Sequence, residues 1–490
     1  MNRTNALASV LASAVLLACT DSSDSPTGPD FSSSRDSHGR QSVVVCHQAT
    51  RHSRLLEVSS AALGGHLGHG DYVAQLTVDP TAPTPTDGVR FARITDALDA
   101  ARAVRIARNE RESAACRITI DVASGTYVGS FDAGVAPALE RFPLMIDVPD
   151  VTLRGALQMD VDRWGRATGL SAEEGVVTTL TPDRPIVFTP ITEALILVVG
   201  HPGGSRGSGA AVEGFAFRSG HPEGASGGVG ILSLRVDRLV IRGNRFEPGL
   251  TSGADLRATS ARLAFNFGNG LGVNCGLCLA GPGDYVAIGN RLLAGGLGGI
   301  YVSAAVQDLP FSLGAAPAAP VEPYVLPASA SVGAAILNNE IRDHVRRPIG
   351  FAVRILALGP GSSAVQQSGR VFLGGNDFTG NTFGVILDAG FPQANTLLRG
   401  DLDVALRGNT ISGNCQNNLL VAFTRHTGAL GTTTNPYLLN STFRLSLGGD
   451  LPWDGAWYSN PDGNANTLMV DGVIIATGAK VAYDPARACP

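Results

Sequence analysis

From about residue 239 onward the chain repeats one phrase: a short apolar strand, a Gly or Asn turn, a second apolar pair, and often another Gly before a third strand. It is clearest in VALRGNTISGNCQNNLLVAF, residues 404–423. Related versions are LVIRGNRFEPG, LAFNFGNGLGV, VAIGNRLLAGGLGGIYV, AAILNNEIRDH and VFLGGNDFTGNTFGVILDAG. Short apolar alternation bounded by Gly and Asn is a strand signal. Asn244 and Asn266 lie 22 residues apart, and Asn266 and Asn290 lie 24 apart. A repeat in the low twenties is the length of one solenoid coil built from three short strands. Asn338 follows 48 residues later, which predicts two further coils. The next spacings, 38 to Asn376 and 33 to Asn409, require loops that leave the stack. Asn tolerates the left-handed conformation and bonds the backbone, so these residues are expected at tight corners.

Upstream the pattern changes period. TDGVRFARITDALDAARAVRIARNE places Phe91, Ile94, Leu98 and Ala101 on one face of a helix. The strands CRITIDVASGTYVGSF and FPLMIDVPDVTLRG follow. This order, through RITDALDAA, ITIDVASGTY and VTLRG, resembles the N-terminal cap of the pectate-lyase-like superfamily. The resemblance implies an all-β fold: a right-handed parallel β-helix solenoid over residues 86–490, with the amphipathic helix as lid on its open apolar end. The proline-rich stretch 308–331 is excluded from central strands and is expected to leave the stack as a loop.

Composition agrees with a repetitive β architecture. Among 490 residues there are 61 Gly and 28 Pro, too much punctuation for long helices. A formal net charge of -5 offers no basic field for phosphate backbones, so nucleic acid is not an expected partner. The N-terminus has one positive charge, Arg3, and an apolar run from Ala6 to Ala18 that is too short to span a membrane, which reads as a secretion signal. Its end, LLAC, resembles the bacterial lipobox. That resemblance implies removal of residues 1–18, lipid on Cys19, and a place in the bacterial cell envelope on its periplasmic or extracellular side. Residues 19–41 are rich in Ser, Asp, Pro and Gly and read as a disordered tether.

Residues 42–75 form a small Cys/His-rich segment. His47, His52, His66 and His69 within it, and His38 just before it, are five of the nine histidines. Its VVVCH start and HLGHGD end resemble a short module of secreted bacterial proteins. Cys46, His47, His66, His69 and Asp71 have the ligand types for Zn²⁺, with His66 and His69 spaced to share a helix face. The alternative is a small hairpin whose histidines only cap and hydrogen-bond. Cys46, Cys116, Cys275, Cys278, Cys415 and Cys489 are expected to be partly oxidised in an exported chain, with no pairing fixed by the sequence. Cys275 and Cys278 read as a local disulfide or two core thiols rather than half of a metal site.

Chemistry on the solenoid is less legible. The superfamily holds polysaccharide lyases, hydrolases, epimerases and noncatalytic surface proteins, so fold alone selects none of them. The ordered Asp, Gly-His-Gly and Arg-Ile-Lys motifs of its hydrolases are missing. Candidates are Asp401 and Asp403 in RGDLDVALRG, two carboxylates on one face, and the charged run Glu340, Asp343, His344, Arg346 and Arg347. Trp164, beside Asp160 and Asp162, is a candidate sugar platform. The expected role is engagement of polysaccharide, or another surface macromolecule, along the solenoid face by a lipid-anchored monomer. A lyase, with Ca²⁺ to neutralise uronates, or a hydrolase is the enzymatic alternative, and an adhesive surface protein the structural one.

Overall fold

The computed structural model describes residues 42–475, leaving out short internal stretches and the longer segments 305–328, 359–365, 391–398 and 424–437. Cys19, the tether, Arg346, Arg347, Cys489 and most of the 308–331 excursion lie outside the described residues. Ser329–Ser331 belong to a strand, Ser329–Leu337, so the stretch outside the stack ends before the expected residue 331, just after its last proline, Pro327.

Three long sheets, of fourteen, ten and ten strands, run side by side along the molecule. Each coil gives one strand to each sheet. Leu239–Arg242, Arg245–Phe246 and Ser252–Arg257 make one coil, and Ala261–Ala264 begins the next. Neighbouring coils pair in parallel, as Leu239–Arg242 does with Ala261–Ala264. The fold is a parallel β-helix. Inward side chains stack from coil to coil: Leu153, Val212, Ile241, Leu263, Ala287, Ile336, Leu373 and Leu406 are in register and nearly inaccessible to solvent. Burial of each large aliphatic side chain in such a row stabilises by about 1.5–3 kcal/mol.

The corner between the first and second sheets departs from the sequence expectation in two ways. A ladder of buried asparagine amides runs through it. Nδ2 of Asn244 donates to Oδ1 of Asn266, Asn266 to Asn290, Asn290 to Asn339, Asn339 to Asn376 and Asn376 to Asn409, at 2.8–3.1 Å. The fourth rung is therefore Asn339, not Asn338. It follows Asn290 directly, so the intervening 49 residues are one coil with a large excursion rather than two coils. The ladder asparagines are also not the left-handed residues. That conformation falls on the position before each of them, at Gly243, Phe265, Gly289, Asn338, Gly375 and Gly408, with φ between 51° and 68°. The left-handed residue turns the chain, and the next side chain then points into the corner, where its amide bonds the backbone of its own stack. Asp450 closes the ladder by accepting from Asn409 Nδ2 at 2.7 Å.

The helix α1, Leu63–Gly68, belongs to the N-terminal segment. The helix α2, Ile94–Ala107, packs on the first coil's strands as the expected lid. Phe91 precedes it in a two-residue strand, and Ile94, Leu98 and Ala101 form its buried face. Arg105 continues that face and is also buried. It donates to Tyr72 Oη, to Glu110 and to the carbonyls of Cys116, Pro149 and Asp150. Glu140, from the second sheet, caps the start of α2 by accepting from the Ile94 and Thr95 amides at 2.7 and 2.8 Å, and burial raises its carboxyl above the usual range.

The solenoid begins before residue 86. Gln75–Val78 pairs in parallel with Ile118–Val122 in the first sheet, with the short Arg90–Phe91 strand on its other side. The Cys/His segment leads straight into it: Ser42–Gln48 pairs with Ser53–Ser59 and with Tyr72–Val73, and Cys46 is bonded to Cys116 beside the lid. Cys275 and Cys278 are bonded to each other, and Cys415 is also in a disulfide.

Candidate functional site

An early hairpin, Met159–Val161 with Ala167–Ser171, leaves the stack and lies along the first corner. The Ala167 amide donates to Gly289 O at 2.9 Å, and Asn338 Nδ2 donates to Trp164 O at 2.6 Å. Arg166 reaches Asn338 Oδ1 and Gly375 O, both at 3.3 Å, across 172 and 209 residues of sequence. The hairpin therefore touches the left-handed corner residues of successive coils. Its outer side leaves Val161, Trp164 and Leu170 exposed, Trp164 at 60%, with the Arg163 guanidinium over the Trp164 ring. Asp162 is not free for a ligand, since its Oδ1 accepts the amides of Trp164 and Arg166 and shapes the turn. Asp160 likewise accepts the amide of Val161.

Beneath the hairpin, the outer face of the second sheet carries a charged row. Arg245, Phe267, Arg291, Glu340 and Asp377 are in register on consecutive coils. Arg291 pairs with Glu340 at 2.8 Å, Arg245 with Glu247 at 3.1 Å, Arg342 bridges to Asp377, and Arg166 comes within 3.8 Å of Asp377 from the hairpin side. These pairs leave polar atoms over. Nε of Arg245, Arg291 and Arg342 and Oδ1 of Asp377 are buried without a hydrogen-bond partner. Arg342 Nε lies 3.1 Å from Glu340 Oε1, but its N–H does not point at that oxygen. Buried polar atoms of this kind are normally satisfied, by protein, by water or by a ligand. These atoms are closed to solvent, but the Arg245, Arg291 and Arg342 side chains are 24%, 25% and 41% exposed, so the row presents partly exposed arginines along a seam, with the exposed Trp164 indole on the hairpin beside it.

The remaining sequence candidates separate. Glu340 is in the row, almost inaccessible and held by Arg291. Asp343 is a left-handed corner residue, φ 62°, and is exposed. His344 points into the second corner, with its amide donating to Asn381 Oδ1 and Nε2 3.4 Å from Leu292 O. Burial lowers its pKa to about 4. The cluster expected from sequence is therefore divided between surface and core. Asp401 is occupied by Arg399 and by the Thr442 amide. Asp403 lies in register between Arg370 and Arg444 on the first sheet, far in the coil's circuit from the seam. Asp403 thus belongs to a cross-coil row of charges, while Asp401 is held within its own strand by Arg399.

One group escaped sequence reading. On the third sheet Asp255, Cys278, Tyr301 and Arg354 are in register, and Arg257, Ala280, Ser303, Leu356 and Asp388 form the adjoining row. Asp255 pairs with Arg257 at 2.7 Å, and Arg354 Nε with Asp388 at 3.0 Å. All four side chains are buried, and burial also raises the Tyr301 phenol far above its ordinary value. The signal was faint because Arg354 and Asp388 sit in otherwise apolar strands of different coils, far in sequence from the Asp255 and Arg257 that share one strand.

In the N-terminal segment the structure corrects the ligand set. Cys46 is spent on Cys116 and offers no thiolate. His69 stands exposed at the end of α1, away from the others. His47, His66 and Asp71 do converge. His47 Nδ1 and His66 Nδ1 lie 2.9 and 2.8 Å from the same oxygen, Asp71 Oδ2, while Oδ1 accepts the Gln48 amide at 3.0 Å. Although burial opposes ionisation, these bonds hold the Asp71 carboxyl well below the usual carboxylate range.

No family model and no curated protein matches this chain. Among solved structures it is similar to the A-module of the Azotobacter vinelandii mannuronan C-5 epimerase AlgE4, at 14% identity over 80% of this chain and 94% of that one, with a TM-score of 0.33. A tailspike protein of Escherichia coli bacteriophage HK620 matches at 10% identity over 91% and 72%, TM-score 0.32. The catalytic unit of an α-1,3-glucanase from Streptomyces thermodiastaticus matches at 13% over 85% and 73%, TM-score 0.30. At such scores these likenesses decide nothing about this chain, whose fold is fixed by its own three ladders.

Proposed function

We propose that this protein is an exported, lipid-anchored solenoid of the bacterial cell envelope that binds polysaccharide in the seam between the hairpin and the second sheet. The observation that carries the reading is the row of charged side chains at Arg245, Arg291, Arg342 and Asp377, in which the arginines are 24%, 25% and 41% exposed. Three of the four are guanidinium donors, which suit the carboxylates and hydroxyls of an acidic glycan better than a neutral chain alone. Arg245 and Arg291 lie two coils apart with Phe267 between them, about 9.6 Å at the usual strand spacing, so one arginine recurs at every second coil in this part of the row. Trp164 supplies an apolar ring face for stacking beside it. Binding is the reading favoured, because among the described residues the seam carboxylates Glu340 and Asp377 are each held by an arginine rather than left free for catalysis.

The test is titration of the purified protein with acidic and neutral polysaccharides, with and without Ca²⁺, while new reducing ends and unsaturated uronate are assayed in parallel. Saturable binding to an acidic glycan, weakened by Arg245→Gln and by Trp164→Ala, is expected. Arg245→Gln is the suitable probe because Glu247 keeps Arg218 as a partner at 2.6 Å. New unsaturated ends would replace binding by lyase action, and new ends without unsaturation by hydrolysis. Absence of binding across the panel would leave an adhesive solenoid that presents loops to another macromolecule.

A further inference from the structure

Outside the solenoid face, the convergence of two imidazoles on one buried carboxylate stands apart. Among the described residues, His47, His66 and Asp71 are the one cluster of three or more His, Cys, Asp or Glu side chains whose ligand atoms lie close enough to share an ion. We infer that His47, His66 and Asp71 form a divalent metal site, of the type that takes Zn²⁺, which joins the three elements of the N-terminal segment.

The site is built rather than accidental. His47 comes from the Ser42–Gln48 strand, His66 from α1 and Asp71 from the turn into Tyr72–Val73. Backbone pairing places Cys46 opposite Tyr72, so His47 and Asp71 are neighbours by register. The strand is anchored by the Cys46–Cys116 bond, and Tyr72 by the hydrogen bond from its hydroxyl to Cys116 O at 2.9 Å. The carboxylate is nearly inaccessible, 1% exposed, while the imidazoles are 31% and 27% exposed, so one side remains open to an entering ion and its water.

The chemistry fits a borderline cation. Two imidazoles and a carboxylate, with a fourth position open to water, are an N/O set that Zn²⁺ accepts in tetrahedral geometry. Without metal, both Nδ1–H groups bond to one oxygen. A metal replaces those protons, binding the two Nδ1 atoms and Oδ2 at about 2.0–2.1 Å each. The ligand atoms then spread by roughly half an ångström, to the separation that tetrahedral angles impose on such bonds. Each neutral imidazole carries its proton on Nε2 when Nδ1 takes the ion, so the site forms with net charge +1 from one 2+ ion and one carboxylate.

Titration of the purified full chain with ZnCl₂, followed by calorimetry and by metal content after gel filtration, tests this. One equivalent of Zn²⁺ bound per chain is expected, with a rise in the temperature at which the N-terminal segment unfolds. His47→Gln or His66→Gln should weaken binding by more than about 100-fold, the upper end of what loss of a merely orienting partner costs. Asp71→Asn should do the same, while His69→Ala should leave affinity and stoichiometry unchanged. Far-ultraviolet circular dichroism on each variant separates lost ligation from lost folding. No stoichiometric binding by the unmutated chain would overturn the inference. So would an affinity lost equally in His69→Ala, which would place the ion elsewhere.

Discussion

The side-chain amide of Asn290 donates to Oδ1 of Asn339 at 2.9 Å, 49 residues further along the chain and one coil further along the stack. The same amide also donates to Leu263 O, and Asn290 Oδ1 accepts both the backbone and the side-chain N–H of Asn266. Asn290→Ala removes all four bonds at a wholly buried position. A loss of about 3 kcal/mol is expected, because unsatisfied groups are left on both sides. The midpoint of chemical denaturation measures it, and a change below about 1 kcal/mol would mean that water replaces the amide.

His344 gives the second corner a pH dependence. The positions stacked on it in the following coils are Asn381 and Asn414, which need no protonation state. Burial lowers the His344 pKa to about 4 from an ordinary 6.5, so the native state binds fewer protons than the unfolded chain between those values. Its stabilising contribution is complete above pH 6.5 and is lost as pH falls towards 4, by up to about 3 kcal/mol. His344→Asn should flatten the stability profile across that window. An unchanged slope would show that other groups set it.

The Cys46–Cys116 bond closes a loop of 70 residues between the N-terminal segment and the cap. Chain-entropy arguments assign such a loop about 4 kcal/mol. Cys46→Ser with Cys116→Ser should make Ser42–Val73 the first site of limited proteolysis, while the solenoid beyond α2 remains resistant. Uniform digestion of the whole chain would mean that the lid depends on the segment more than its contacts suggest.

Arg354 and Asp388 form a buried pair on the third sheet. Removing one partner of such a pair is worse than removing both. Arg354→Leu alone is expected to cost about 3–5 kcal/mol, and addition of Asp388→Asn to recover part of it. A thermal-unfolding double-mutant cycle reports the coupling. Strict additivity would show that each residue is held by other groups.

The sequence made the coil visible but not its internal register. Short apolar strands and Gly/Asn turns locate the corners, yet the adjacent Asn338 and Asn339 leave a one-residue ambiguity that only the amide ladder resolves. The 49-residue step read as two coils because an excursion of nearly coil length imitates a repeat. Arg105 had a readable signal, since it falls on the apolar face after Ala101. Glu140 had none, because the amides it caps lie 45 and 46 residues earlier in the chain. In the His47, His66 and Asp71 cluster, the residue types were legible and the selection among them was not. It depends on a disulfide partner at Cys116 and on where α1 ends, which placed His69 outside.

The hairpin across the first corner alters how the stack would come apart. Coils that touch only their neighbours unravel from either end, one after another, each step independent of distant ones. Arg166→Ala, which removes the guanidinium bonds to Asn338 and Gly375 but leaves those of Trp164 O and the Ala167 amide, should weaken the coupling, and hydrogen exchange would show more graded opening of the coil that holds Gly375. With Arg166 in place, peeling away the coil that holds Gly375 must also dislodge an element threaded some two hundred residues earlier. A pull on the C-terminal coils is then felt near the cap, and the middle of the rod yields as one block under load.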